Sequence, residues 1–274
     1  MRVLTNKNFD PQLRLRLAQL KPEFLHNVTH GLKNPLAILN TSLNKLESDL
    51  QDFFNTYNEF TLTNFVPGQN KDGPMAELLK RYKSYLYSCR EYLDDIYNIA
   101  KTFAKPEVTY KQRRNQFDWL KLNCNSLPFH AFLEATIPYK LHLDEIVNEL
   151  KHRNGILGSA TFVDDSSRIF SMGYFVANVV DGVYQPVQTI HKQFMGEHTA
   201  ISFGRDIRYH VCNTYFLTKY LEDLLFGIGA KYDGQITHSC ETEPKRNSLY
   251  ARVSLLPRHF FPDARRSEIE RPCR

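Results

Sequence analysis

The sequence predicts an α+β fold that is mainly helical: a helical bundle carrying an inserted antiparallel β-hairpin or meander. Three observations predict it. Long stretches place apolar residues at spacings of three and four, the period of a helix face. Residues 159–190 are instead rich in Val, Ile, Phe and Tyr and hold an Asp-Gly dipeptide between β-forming residues. That stretch lies between helical segments, which argues against a repeating βαβ array.

The first helical pattern runs from about Pro11 to Phe60, with Leu13, Leu17 and Leu20 followed by Leu36, Leu39, Leu43, Leu46, Leu50 and Phe54. Pro22 and Pro35 interrupt it, and each marks a start or a kink, because proline is best tolerated in a helix's first turn. NFVPGQNKDGP, residues 64–74, is a turn-rich connector. A second helix follows from about Met75 to Phe103, with Leu79, Tyr82, Leu86, Leu93, Ile96 and Ile99 on its stripe.

Residues 105–114 are polar and contain Pro106, which makes them the expected boundary between an N-terminal helical region, 1–110, and a second unit, 111–232. In that unit two short helices are expected near Phe117–Leu122 and Phe129–Glu134, and a further one over 140–152 with Leu143, Ile146, Val147 and Leu150 in register. The β-hairpin falls within 159–190, centred on VVDGVYQPV. Helix returns over 199–229 and ends at Gly227 and Gly229. Over 233–274, SLYARVSLL (248–256) reads as one added strand, and the remainder as a tail.

Composition narrows the function classes. With 274 residues, 42% of them hydrophobic, 19 Phe and 15 Tyr, the chain can bury a real core and does not read as disordered. A net charge of +5 permits contact with phosphate without demanding it. Cys89, Cys124, Cys212, Cys240 and Cys273 are odd in number and form no CxxC. A disulfide framework or a zinc site is therefore not expected, and a reducing compartment fits. The N-terminal residues lack a signal-peptide core, and no run reaches the roughly 20 apolar residues of a membrane span. The expectation is a cytoplasmic protein without membrane contact and without a cofactor.

GRDIRYH, residues 204–210, carries the most chemistry. On a helix Asp206 and His210 are four apart and share a face, so the carboxylate can orient the imidazole and favour its charged form. Arg205 lies about 140° around the helix from His210, with a long side chain, and Arg208 adds a second guanidinium. An arginine that steadies phosphate charge and an oriented histidine that moves protons suffice for RNA cleavage without metal. The spacing of Arg205, Asp206 and His210 resembles the R-polar-x3-H motif of HEPN domains over about 115–230. That resemblance implies a helical ribonuclease of toxin–antitoxin or antiviral-defence type, active as a homodimer on RNA. Arg205 would bind phosphate, Asp206 orient His210, and His210 transfer protons. Lys151, His152 and Arg153, at the end of the preceding helix, are candidates with Arg208 for binding RNA. The plain alternative for them is stabilisation of a helix C-terminus by its dipole.

A second resemblance lies near the N-terminus. FLHNVTHGLKNPLAIL, residues 24–39, is similar to the H-box of sensor histidine kinases, with His30 as phosphoacceptor and Pro35 as the kinking proline. Gly31 stands where that family has an acid. NELKH (148–152) and VVDGV (179–183) loosely match the family's nucleotide-binding segments, without a glycine-rich lid. His26 and His30, four apart, could ligate a metal but no third ligand is evident. Cys212 reads as a helical core cysteine rather than a nucleophile. The readings predict different placements. A ribonuclease needs Arg205 and His210 exposed in one cleft, and a phosphotransfer protein needs His30 exposed on a helix. A non-enzymatic interaction protein with a protein partner needs an apolar surface patch.

Overall fold

The computed structural model describes residues 13–62, 72–106, 115–163, 169–194, 197–233 and 244–256. The architecture is mainly helical α+β. The helices are α1 (Leu13–Gln19), α2 (Pro35–Leu62), α3 (Asp72–Lys101), α4 (Gln116–Asn123), α5 (Leu127–His152), α6 (Phe203–Gly227) and α7 (Pro244–Leu255). Between α5 and α6 lie β1 (Ile156–Val163), β2 (Ile169–Val180), β3 (Val183–Pro186), β4 (Gln193–Phe194), β5 (Glu197–His198) and β6 (Ile201–Ser202). Among the described residues, no helix is long and apolar enough to cross a membrane.

Helix α3 is the centre of the bundle. Leu78, Tyr82, Tyr85, Leu86, Cys89, Tyr92, Leu93, Ile96 and Tyr97 are all buried, a wider apolar arc than one packing neighbour would require. It packs against α2, α4, α5, α6 and β1. Helix α2 lies along one side through Leu39, Leu43, Leu46, Leu50, Phe53 and Tyr57, spaced by threes and fours. One continuous hydrophobic cluster runs from Leu13 to Leu256 and crosses the boundary expected at 105–114.

The proline expectations are met in detail. Pro22 opens a short 3-10 turn, Pro22–Phe24, and Pro35 opens α2. The N-terminal segment does not make one long helix, however, because residues 27–31 form turns in which Gly31 has φ +64°. The end of α1 and the residues after it are tied instead to the segment after α6: Lys21 N–H donates to the Lys231 carbonyl at 3.0 Å, and Asp233 N–H to the Gln19 carbonyl at 2.7 Å.

Two short helices expected at 129–134 and 140–152 are one helix, α5, with Pro138 inside it. Proline removes one helical hydrogen bond, and burial of Phe132, Leu133, Thr136, Tyr139 and Leu143 on both sides of it outweighs that loss. The strand expected within 248–256 is a correction: these residues belong to α7 and the turn after it. Leu249, Val253 and Leu256 are buried at helical spacing against α2 and α6, while Leu255 faces solvent.

The β-hairpin forms where the Asp-Gly pair predicts it. β2 pairs antiparallel with β1 on one side, and with β3 and β6 on the other. Asp181 (φ 51°) and Gly182 (φ 77°) make the two-residue turn joining β2 to β3, and two positive φ values are what a type I′ hairpin turn requires. β6 leads directly into α6, whose N-cap Ser202 accepts a hydrogen bond from the Arg205 N–H. Tyr174 on β2 thereby meets Phe203 at the start of α6, their rings stacked 5.9 Å apart over Tyr82.

Candidate functional site

Helices α5 and α6 lie side by side and run antiparallel, since Tyr139 meets His210 while His142, further along α5, meets Asp206, nearer the start of α6. Four elements converge on the Asp206 carboxylate. From α3 and β2, the hydroxyls of Tyr82 and Tyr174 each donate to its Oδ2 at 2.5 Å. From α6 itself, His210 Nε2 lies 3.4 Å from Oδ2. From α5, His142 Nε2 lies 3.6 Å from Oδ1. Asp206 is buried and His210 is 0% exposed.

Burial alone would raise the Asp206 carboxyl pKa, but the imidazoles of His210 and His142 beside it outweigh burial and hold it well below the ordinary carboxylate range. Burial first, and then the nearby Asp206 charge, push the phenols of Tyr82 and Tyr174 well above their ordinary values. Both therefore stay protonated and act as donors. The site's charge is one carboxylate, held by two phenolic hydrogen bonds.

The imidazoles are less well satisfied. Neither His142 Nε2 nor His210 Nε2 has a hydrogen-bond partner. Both point at Asp206 from beyond the 2.7–2.9 Å usual for a charge-assisted bond. The other nitrogen of His210, Nδ1, is 3.0 Å from the Tyr139 hydroxyl oxygen, and that hydroxyl is also a hydrogen-bond partner of buried Cys89. Two tautomers satisfy this contact: with the Tyr139 hydroxyl donating to Nδ1, Nε2–H faces the Asp206 carboxylate, and with Nδ1–H donating to Tyr139, Nε2 presents a lone pair that a cation would bridge to it.

One ligand atom each from His142, Asp206 and His210 lies within 4.8 Å of the others. An ion with metal–ligand distances near 2.0–2.2 Å holds its ligand atoms roughly 3–3.5 Å apart; His210 stands 3.4 Å from Oδ2 and His142 3.6 Å from Oδ1, so a small closing of the cluster would let the three residues hold a divalent transition metal. His142 is the member of this cluster that sequence reasoning missed. Its only signal was a polar aromatic side chain within the apolar stripe of Tyr139, Leu143 and Ile146.

The structure brings Asp206 and His210 together, as their spacing predicts, but separates them from the basic residues. Arg205 is exposed while His210 is enclosed, so the two do not share a solvent-facing cleft. Arg208 donates to the carbonyls of Gly204, Ser254 and Leu256, which fastens the end of α7 to α6. Lys151 stands over the Tyr87 ring at 4.8 Å, Arg153 pairs with Glu149 at 2.6 Å, and His152 is exposed. All three lie at the end of α5, beyond the point where His142 meets Asp206.

His30 lies in a turn rather than on a helix. Its Nε2 is 2.9 Å from the Ala104 carbonyl, and its ring meets Trp119 edge-on. The VVDGV segment is the β2–β3 turn, where Val179, Val180, Val183 and Tyr184 form an exposed apolar tip. Cys212 is half-buried on α6, and burial raises its thiol pKa. Comparisons of the chain with protein-family models, curated proteins and solved structures find no match.

Proposed function

We propose that the protein is a divalent-metal protein whose ion is held by His142, Asp206 and His210. One observation carries this reading: two buried imidazole nitrogens, both without a hydrogen-bond partner, converge on one carboxylate. A mixed nitrogen and oxygen donor set suits zinc, iron(II), cobalt(II) or manganese(II). The phenols of Tyr82 and Tyr174 and the hydroxyl of Tyr139 form the supporting layer that orients such ligands. The test is metal analysis of protein purified without chelators, followed by calorimetric titration of the stripped protein with zinc. The expected result is one equivalent of bound metal in the parent, and none in His142→Ala or His210→Ala. Equal binding by all three proteins would remove these residues from the site.

A second reading is contact with RNA at the end of α5. The observation favouring it is the run of exposed basic side chains Lys151, His152 and Arg153 there. Binding by these groups would weaken steeply with salt, as phosphate contacts do. HEPN-like cleavage by Arg205 and His210 additionally requires an opening that brings His210 to solvent. Incubation with a mixed RNA pool in EDTA, beside His210→Ala, tests it: cleavage by the parent alone supports metal-independent catalysis. Absence of cleavage together with absence of salt-dependent RNA binding removes the reading.

A further inference from the structure

Resting on the metal reading, we infer that the ion keeps an exchangeable coordination position on the side of His142 and Tyr209, and that this position takes water, hydroxide or another small monoanion.

The donor count comes first. Among the described residues, the cluster supplies three ligands. Zinc sites closed for structural purposes have four protein ligands, whereas sites with three keep the fourth place for water or substrate. Further oxygens at the cluster are the phenols of Tyr82 and Tyr174. Both already donate to Asp206 Oδ2 at 2.5 Å. A protonated phenol committed in this way is a poor ligand. The two phenols engage Oδ2, the oxygen beside His210, while Oδ1 faces His142.

The charge balance comes second. A divalent ion with one carboxylate and two neutral imidazoles leaves one positive charge within the bundle. An uncompensated charge away from water is costly, and a monoanion in the open position removes it. A metal-bound water achieves the same by losing a proton, which the ion itself promotes.

The direction of entry comes third. His210 and Asp206 are enclosed, with 0% and 4% side-chain exposure, whereas the His142 side chain is 31% exposed. Tyr209, one residue before His210, is also partly exposed, and its ring lies edge-on against His142 at 4.7 Å. The α5–α6 surface at these two rings is therefore the short path between the cluster and solvent, with the Tyr209 ring as its cover.

The experiment loads the metal-free 274-residue chain with cobalt(II), follows the visible ligand-field absorption, and then titrates azide. The expected result is a cobalt spectrum that azide shifts saturably, with a single site. Tyr209→Ala should accelerate the azide-dependent change without altering the cobalt stoichiometry. A cobalt spectrum indifferent to excess azide would overturn the inference while leaving the metal reading in place. So would a parent that gains azide sensitivity only as Tyr82→Phe or Tyr174→Phe, which would identify a phenol as the fourth ligand. No cobalt spectrum in the parent would overturn the metal reading, and the inference with it.

Discussion

His210 Nε2 and Asp206 Oδ2 face each other at 3.4 Å inside the bundle, one helical turn apart on α6. That separation is long for a charge-assisted hydrogen bond and fits two ligands of a common ion. The same carboxylate accepts two phenolic hydrogen bonds from other elements. Asp206 is the polar node on which α3, β2, α5 and α6 meet, and under the proposed function it is also a metal donor. Each part has its own consequences.

Metal should stabilise the folded protein through binding. At a free zinc concentration 100 times the dissociation constant, the gain is about 2.7 kcal/mol, and it should be read as a rise in melting temperature or denaturant midpoint. His210→Ala and His142→Ala should abolish this gain. Acidification should weaken it, since the ion competes with protons for the imidazoles.

Replacing Asp206 by Ala leaves two buried hydroxyls without their acceptor. Hydrogen bonds to charged groups contribute about 1.5–3 kcal/mol each, and an orphaned buried donor costs more than the bond itself. Urea denaturation of Asp206→Ala should therefore show a loss of about 3–5 kcal/mol. Tyr82→Phe and Tyr174→Phe remove one donor each and leave the other on the carboxylate, so each should cost about 1.5–3 kcal/mol. Losses below about 0.5 kcal/mol in all three would show that the node does not support the fold.

The pH dependence of the metal-free protein follows from the depressed Asp206 pKa. A carboxyl whose folded value lies below its unfolded value, near 4, adds stability that is fully present above the unfolded value. That stability is lost as pH falls through the folded one. Denaturant midpoints from pH 7 to pH 3 should fall for the parent and fall less for Asp206→Asn. Parallel curves for the two proteins would exclude Asp206 as a source of acid sensitivity.

Arg208 binds backbone carbonyls at the end of α7. Arg208→Ala should release the end of α7, because the guanidinium holds the carbonyls of Ser254 and Leu256. Hydrogen exchange over 244–256 should speed up, with zinc stoichiometry unchanged. A loss of metal without faster exchange would place Arg208 with the site instead.

Much of this arrangement was legible in local sequence and the remainder was not, for identifiable physical reasons. Asp181 and Gly182 announce their turn because few other residues accept two successive positive φ values. The stripes of α2 and α3 are visible because burial repeats at the helical period. Asp206 and His210 share a face because they are four apart, and the 140° offset of Arg205 takes it outward once His210 faces in. The inward direction itself was not legible. It depends on Tyr82, 124 residues from Asp206, and on Tyr139, 71 residues from His210, pairings that no local pattern encodes. The helix at 248–256 was missed because nine residues of mixed apolar and polar character satisfy both periods. Packing of Leu249, Val253 and Leu256 against α2 and α6 decides between them.

The most direct test of the central claim is anomalous diffraction from crystals of the zinc-loaded protein, recorded on both sides of the zinc edge. The account predicts one strong peak about 2.0–2.2 Å from Nε2 of His142, Nε2 of His210 and a carboxylate oxygen of Asp206. A zinc-loaded crystal with its anomalous peaks elsewhere, and with the two imidazoles hydrogen-bonded directly to the carboxylate, would contradict it.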